Sequence, residues 1–379
     1  MSLPFNKPYT GTEEEQALSE ALRKGHLRGD GPYTKRVQEQ MEEWLGVKHV
    51  LLTTSCTHAL EMAVIVLGIG PGDEVIMPAF NFVSSANAVV LRGATPVFAD
   101  IKPETMNIDP ADIERKITNH TKAIIPVHYA GVSCDMDAIM NIAKKHNLFV
   151  IEDAAQGVDA FYEDKPLGSI GHIGCYSFHD TKNITCGEGG AFLTNDDEIA
   201  QKAEVIREKG TNRAAFMRGE IDKYTWVWEG SSYIPSDLLA AMLEAQLKKK
   251  DGIKQKRKEL WELYRETLAD CEKSGKIILP EIPAGRSSNY HIFYFFSRTK
   301  EEQDLLLTQF KKAEIPAAFH YVPLHSAPFA KEFLNTTNLP KTDEYSNRLI
   351  RLPLYPDLEL TETFLQKIVD VIHSTISNR

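Results

Sequence analysis

Lys182 lies in the stretch Ser177-Phe178-His179-Asp180-Thr181-Lys182-Asn183-Ile184-Thr185-Cys186-Gly187-Glu188-Gly189-Gly190, downstream of an apolar run, Phe149-Val150-Ile151, that ends in Glu152-Asp153. A buried lysine and an upstream aspartate at a strand end are the pair that pyridoxal phosphate (PLP) chemistry needs. The amine forms an imine with the cofactor aldehyde, and the carboxylate keeps the pyridine ring protonated and electron-withdrawing. Asp153 suits the second task through the opposite-charge effect. Gln156, three residues on, reaches the same cofactor face. Thr53-Thr54-Ser55-Cys56-Thr57 leads from a strand into a helix and offers free N–H groups and hydroxyls, a setting for a phosphate dianion. Ser177 adds a further hydroxyl, and Phe82 is placed after a strand to lie flat on an aromatic ring. Plainer roles fit each residue taken singly: Asp153 as a cap for a helix at Ala154, the Ser/Thr cluster as an N-cap, Ser177 bonded to its own backbone, Phe82 as core.

Such residues need a scaffold, and the chain supplies one. Between about residues 48 and 200, short apolar runs alternate with helical patterns, as a mostly parallel sheet flanked by helices requires. Strands are expected at His49 to Thr53, Glu74 to Met77, Thr95 to Ala99, Ala123 to Val127, Leu148 to Ile151, Ile173 to Phe178 and Gly190 to Thr194. Helices are expected at Thr57 to Leu67, Ser84 to Leu91, Ile108 to Lys116 and Asp135 to His146. Pro235-Ser236-Asp237 then opens a long amphipathic segment leading into a second domain. There the pattern predicts a strand over Tyr290 to Phe296, a capping box at Thr299 to Glu302 ahead of a helix, a strand over Ile315 to Val322 and a last helix over Thr361 to Ile376.

Composition excludes several classes. The 379 residues, 42% apolar and 25% charged, suit a two-domain enzyme, and a net charge of -10 gives no general reason to bind nucleic acid. Five cysteines without CxxC spacing point to neither a disulfide framework nor zinc, and no metal site is expected. With no apolar run long enough for a membrane span and no signal core, a cytoplasmic protein is expected. Gly68-Ile69-Gly70-Pro71-Gly72 is not a dinucleotide loop, because a strand-like stretch rather than a helix follows it.

Taken together, residues from Pro4 to Leu354 resemble the DegT/DnrJ/StrS group of nucleotide-sugar aminotransferases. The resemblance rests on Pro71-Gly72-Asp73-Glu74-Val75-Ile76-Met77-Pro78, Ile151-Glu152-Asp153-Ala154-Ala155-Gln156, Ser177-Phe178-His179 through Lys182, Gly187-Glu188-Gly189-Gly190, and His320-Tyr321-Val322-Pro323-Leu324-His325. It implies the PLP-dependent transferase fold type I (aspartate aminotransferase-like), an α/β architecture with a large mostly parallel sheet domain over residues 1–245 and a smaller α/β domain over 246–379. It implies Lys182 as the catalytic lysine, Asp153 on the pyridine nitrogen, Gln156 near the phenolic oxygen, Phe82 on the ring, and Cys56, Thr57 and Ser177 at the phosphate. It also implies a homodimer whose partner completes the phosphate site from a Gly-x-Asn-Tyr-Arg loop. Here that loop reads Gly230-Ser231-Ser232-Tyr233-Ile234, which leaves Ser232 for the contact. Tyr321 and His325 fall where the family places its sugar. Within the group, Ser55 to Ala63, Lys223-Tyr224-Thr225-Trp226 and Gly230 to Tyr233 resemble members that carry an amino group from glutamate to C4 of dTDP-4-oxo-6-deoxy-D-glucose. The related sugar dehydratases place histidine where this chain has Lys182.

Overall fold

The computed structural model describes residues 3–334 and 337–376. Its main sheet is built from β1 (His49–Thr53), β2 (Glu74–Pro78), β3 (Thr95–Ala99), β4 (Thr121–Ile124) and β5 (Phe149–Asp153), joined later by β8 (Ile173–Ser177) and β9 (Gly190–Thr194). The spatial order is β1-β9-β8-β5-β4-β2-β3, and β9 alone runs against its neighbours. A hairpin of β6 (Phe161–Tyr162) and β7 (Lys165–Pro166) pairs with β10 (Arg286–Ser287). The last two strands, β11 (Phe293–Phe296) and β12 (Leu349–Leu352), form an antiparallel pair of their own.

Helices α1 (Thr12–Lys24) and α2 (Pro32–Leu45) precede the sheet, and α3 (Cys56–Val66), α4 (Val83–Val90), α5 (Pro110–Lys116), α6 (Met136–His146), α7 (Asp197–Arg207) and α8 (Arg213–Met217) connect or follow its strands. The long pair α9 (Asp237–Lys248) and α10 (Lys250–Lys273) leads to α11 (Lys300–Lys312), α12 (Pro328–Phe333), α13 (Pro340–Ser346) and α14 (Glu362–Thr375). No helix among the described residues is long and apolar enough to cross a membrane.

Central strands β5, β8 and β9 are buried on both faces, which is why they read as apolar runs rather than alternations. Helix α3 is buried nearly all round, and Ser55 caps it by accepting the His58 N–H at 3.1 Å. A separate core, including Trp261, Tyr264, Phe293, Phe295, Phe310, Ile350 and Ile368, joins α10, α11 and α14 to the β11–β12 pair. An edge between domains after residue 245 would cut α9, which packs on α1 and α2.

Three expected strands change, each for a backbone reason. β4 ends at Ile124 rather than Val127 because Pro126 has no N–H for the ladder, leaving one bridge between Val127 and Asp153. The strand expected over Ile315 to Val322 is irregular chain with a single bridge from Ala318 to Arg351, since Pro316 interrupts it. β11 begins only at Phe293 because Tyr290 sits at φ 55°.

The parallel strands share a carboxyl edge. Thr53 and Ser177 both register with Gly190, the first residue of β9, so the ends of β1, β8 and β5 and the start of β9 meet there. Open α/β sheets bind ligands at that edge.

Candidate active site

A cavity of about 440 Å³ opens at this carboxyl edge. Lys182, Asp153, Gln156, Phe82, Cys56, Thr57, Ser177 and Tyr321 all line it, so eight of the sequence-predicted residues converge from five separate stretches of chain. Ser232 and His325 do not line it. Ser232 is exposed and bridges Glu208, and His325 is buried with Nε2 3.2 Å from an Asp343 carboxylate oxygen. The expected substrate role of His325 is not met by this cavity, because its imidazole contacts the Asp343 side chain of α13 instead of the lining.

The loop carrying Lys182 is tied at several points. The Phe178 N–H donates to Gly189 O at 2.8 Å, the Cys186 N–H to Phe178 O at 2.9 Å, and the Lys182 N–H to His179 O at 2.9 Å. Asn183 Nδ2 reaches across to Asn289 O at 2.7 Å, which anchors the residue next to the lysine. Burial lowers the proton affinity of the Lys182 amine, Arg351 lowers it further, and Asp153 opposes both. Cys56 adds no opposing charge at neutral pH, because burial pushes its own thiol well above the usual range.

Asp153 ends β5 and no helix follows it, so it is not the cap that one reading of the sequence offered. Its Oδ2 accepts from the Ser85 hydroxyl at 2.5 Å, Ser85 in turn accepts from Asn81 Nδ2 at 2.9 Å, and its Oδ1 takes the Ala155 N–H at 3.2 Å. The neighbouring Glu152 is fully buried on the opposite face, where it accepts from Gly168, Ile170 and Gly171 N–H groups and pairs with His128 at 2.9 Å. This anchor fixes the strand that aims Asp153. Gln156 accepts the Ala130 N–H at 2.7 Å and donates to Tyr321 Oη at 3.1 Å. Phe82 is 58% exposed, which rules out a core role and leaves its ring free on the cavity wall.

The first turn of α3 supplies N–H groups of Cys56 and Thr57 that have no intrahelical acceptor. Thr57 Oγ1 and Ser84 Oγ lie 2.8 Å apart beside them. Gly190 lets β9 pass under this turn, since a Cβ there would stand 2.5 Å from Cys56 N. The residues fit PLP: an amine of lowered proton affinity, a fixed carboxylate, an open aromatic face and an anion-binding helix terminus surround one cavity.

The family model for "DegT/DnrJ/EryC1/StrS aminotransferase family" matches residues 8–373. The chain belongs to this aminotransferase family. It is 37% identical over 366 residues to the spore coat polysaccharide biosynthesis protein SpsC of Bacillus subtilis (strain 168), covering 94% of this chain and 93% of that one. Among solved structures, the PLP form of Spr1654 from Streptococcus pneumoniae superposes with a TM-score of 0.91 at 26% identity and 100% coverage of both chains. PseC of Helicobacter pylori, an aminotransferase involved in the biosynthesis of pseudaminic acid, superposes with a TM-score of 0.89 at 28% identity and 99% coverage of both. The chain is accordingly a PLP-dependent aminotransferase of fold type I.

Sequence reasoning missed several residues that line this cavity. Phe5, Asn6, Asn81, His291 and Arg351 also line the cavity, and Ser85 supports it from behind. A signal for Arg351 was present: a lone cation inside the apolar run Leu349-Ile350-Arg351-Leu352.

Proposed function

We propose that the enzyme transfers the amino group of glutamate to C4 of a nucleotide-linked 4-keto-6-deoxy sugar, dTDP-4-oxo-6-deoxy-D-glucose, giving dTDP-4-amino-4,6-dideoxy-D-galactose for a surface polysaccharide. The convergence of Lys182, Asp153, Gln156, Phe82 and the α3 terminus on one cavity carries this reading. The names of SpsC and PseC, which place those proteins in polysaccharide and pseudaminic acid biosynthesis, support the sugar class.

When bound, PLP supplies an aldehyde that accepts the amino group and a ring that withdraws electrons from the carbon losing its proton. The chain's residues do the rest. Lys182 holds the cofactor and, once freed, its neutral Nζ takes the proton from the donor's α-carbon and later delivers one to C4 of the sugar. Asp153, fixed by Ser85, raises the proton affinity of the pyridine nitrogen through its negative charge. Gln156 would position the ring oxygen, Phe82 would cover the ring face, and Cys56, Thr57 and Ser177 would receive the phosphate. Tyr321, held by Gln156, would face the sugar.

The proposal includes a cytoplasmic homodimer in which Ser232 of each chain reaches its partner's phosphate site. Met217, Tyr224, Trp226 and Trp228 are exposed large apolar side chains close in sequence to Ser232, with Trp226 77% exposed, and such a concentration calls for a covering surface. Five free, buried cysteines suit a reducing compartment. The test is incubation with glutamate and a panel of nucleotide-linked keto sugars, followed by NMR of the amino product. A C4 amine on the dTDP sugar is expected, and a product aminated only at C3 contradicts the assignment.

A further inference from the structure

Lys182 is followed by Asn183, whose side-chain amide is held at both ends. Asn183 Nδ2 donates to Asn289 O at 2.7 Å, so its Oδ1 is the end that meets His291 Nδ1 at 2.9 Å. An amide oxygen only accepts, so Nδ1 carries the proton and donates this hydrogen bond. Burial, and then the charge of Lys182 ahead of those of Arg257 and Arg351, holds the proton affinity of His291 well below that of an ordinary imidazole. The ring is therefore neutral, and its Nε2 bears a free lone pair.

The surroundings fix this ring. Asn289 Nδ2 donates to Gln156 O and Val158 O at 2.8 and 2.7 Å, and the His291 carbonyl accepts from Arg257 Nη2 at 2.9 Å. Tyr290, between Asn289 and His291, sits at φ 55°, a left-handed conformation unfavourable for a bulky side chain and held here by its neighbours. The imidazole so fixed lines the same cavity as Lys182. Its Nε2 has no hydrogen-bond partner among the described residues, and neither has Lys182 Nζ. His320, the other imidazole on this wall, is by contrast engaged at both nitrogens, with Tyr129 Oη at 3.1 Å and Arg351 Nη1 at 3.3 Å. One fixed acceptor and one amine donor thus stand unpaired around a single cavity.

We propose that His291 Nε2 accepts an N–H of the Lys182 amine once that amine is released from the cofactor, and so turns its lone pair toward the carbon that loses a proton. His291 is then a positioning residue that acts through Lys182. The proton itself goes to Nζ, the C–H electron pair stays with the carbon, and the imidazole remains neutral throughout. When the amine has become an ammonium the same hydrogen bond is charge-assisted, so it is stronger after proton capture than before and lowers the barrier between the two. This rests on the reading of Lys182 as the base and names the group that aims it.

The test has a spectroscopic arm and a kinetic one. Nitrogen-15 NMR of the histidine-labelled, PLP-loaded enzyme, with the His291 signals assigned by their loss in His291→Gln, is expected to show Nδ1 protonated and Nε2 unprotonated. In single turnovers with glutamate, His291→Leu is expected to lose roughly tenfold to a hundredfold in rate, the worth of a charge-assisted hydrogen bond. That loss falls on the step slowed by deuterium at the donor's α-carbon, with the affinities for PLP and glutamate kept. His291→Gln, whose amide oxygen reaches as far as Nε2, recovers part of the rate. A ring protonated at Nε2, an unchanged rate in His291→Leu, or a loss confined to PLP or glutamate binding overturns the proposal. Full proton transfer by Lys182→Ala overturns instead the reading of the lysine on which it rests.

Discussion

At Lys182, burial lowers the proton affinity of the amine while the carboxylate of Asp153 raises it, and the balance sets when that amine is free to react. The rate of PLP uptake by the apoprotein should therefore rise with pH and level off below the range of an ordinary lysine, as the amine loses its proton. Asp153→Asn removes the opposing negative charge, so the rising limb should move to lower pH; Arg351→Met removes a positive charge, so it should move to higher pH. Stopped-flow uptake across a pH series checks both, and limbs that stay in place in the two variants refute the electrostatic coupling. Lys182→Ala should lose transamination by at least about a thousandfold, since both proton transfers pass through its nitrogen. Retention of full turnover in that variant would dismiss the assigned role. Lys182, Asp153 and Gln156 were legible because each sits in a short motif beside a strand end. Ser85 and Arg351 were not, because their meaning comes from partners far along the chain, Asp153 and His320.

Two elements hold the phosphate end of the cavity in register, and glycine is what lets them meet. Gly190 opens β9 directly beneath the first turn of α3, where a Cβ would lie 2.4 Å from Ser55 C. Both obstacles are backbone, so neither yields cheaply. Gly190→Ala should weaken PLP binding at least tenfold and cost about 1–3 kcal/mol of stability through overpacking, measured by cofactor titration and chemical denaturation. Two strands away in the sheet, Glu152 accepts four hydrogen bonds in a fully buried site and so anchors the end of β5. Glu152→Ala should cost about 3–5 kcal/mol by leaving His128 and three N–H groups without their acceptor, and an unchanged denaturation midpoint would refute that anchor. The strands themselves were readable as apolar runs with turn residues between them. Their ends were less so, because Pro126 and Pro316 break ladders that hydrophobicity alone would continue. β12 escaped notice since Arg351 interrupts its pattern, and α1, α2 and α7 went unassigned because their amphipathic faces are buried only by long-range packing.

At the scale of the whole chain, we propose that the division between domains follows the α9–α10 helical pair rather than a flexible linker. α9 packs on α1 and α2, whereas α10 contributes Trp261, Tyr264 and Leu268 to the C-terminal core. The cavity draws on both sides of this pair, with Lys182 from one and Arg351 from the other. The exposed Trp226 and Trp228 give the proposed homodimer a testable seam. Trp226→Asp should weaken self-association by at least tenfold in sedimentation experiments, in line with the weight of buried aromatic residues in interfaces. A monomeric wild type, or a variant as strongly associated as wild type, would count against that seam. The central claim is nevertheless covalent and local: PLP is held by one lysine at the carboxyl edge of the sheet. Borohydride reduction of the PLP-loaded enzyme, followed by peptide mass spectrometry, should place the cofactor's mass on Lys182. The same label found on another lysine, with Lys182 unmodified, would contradict the account.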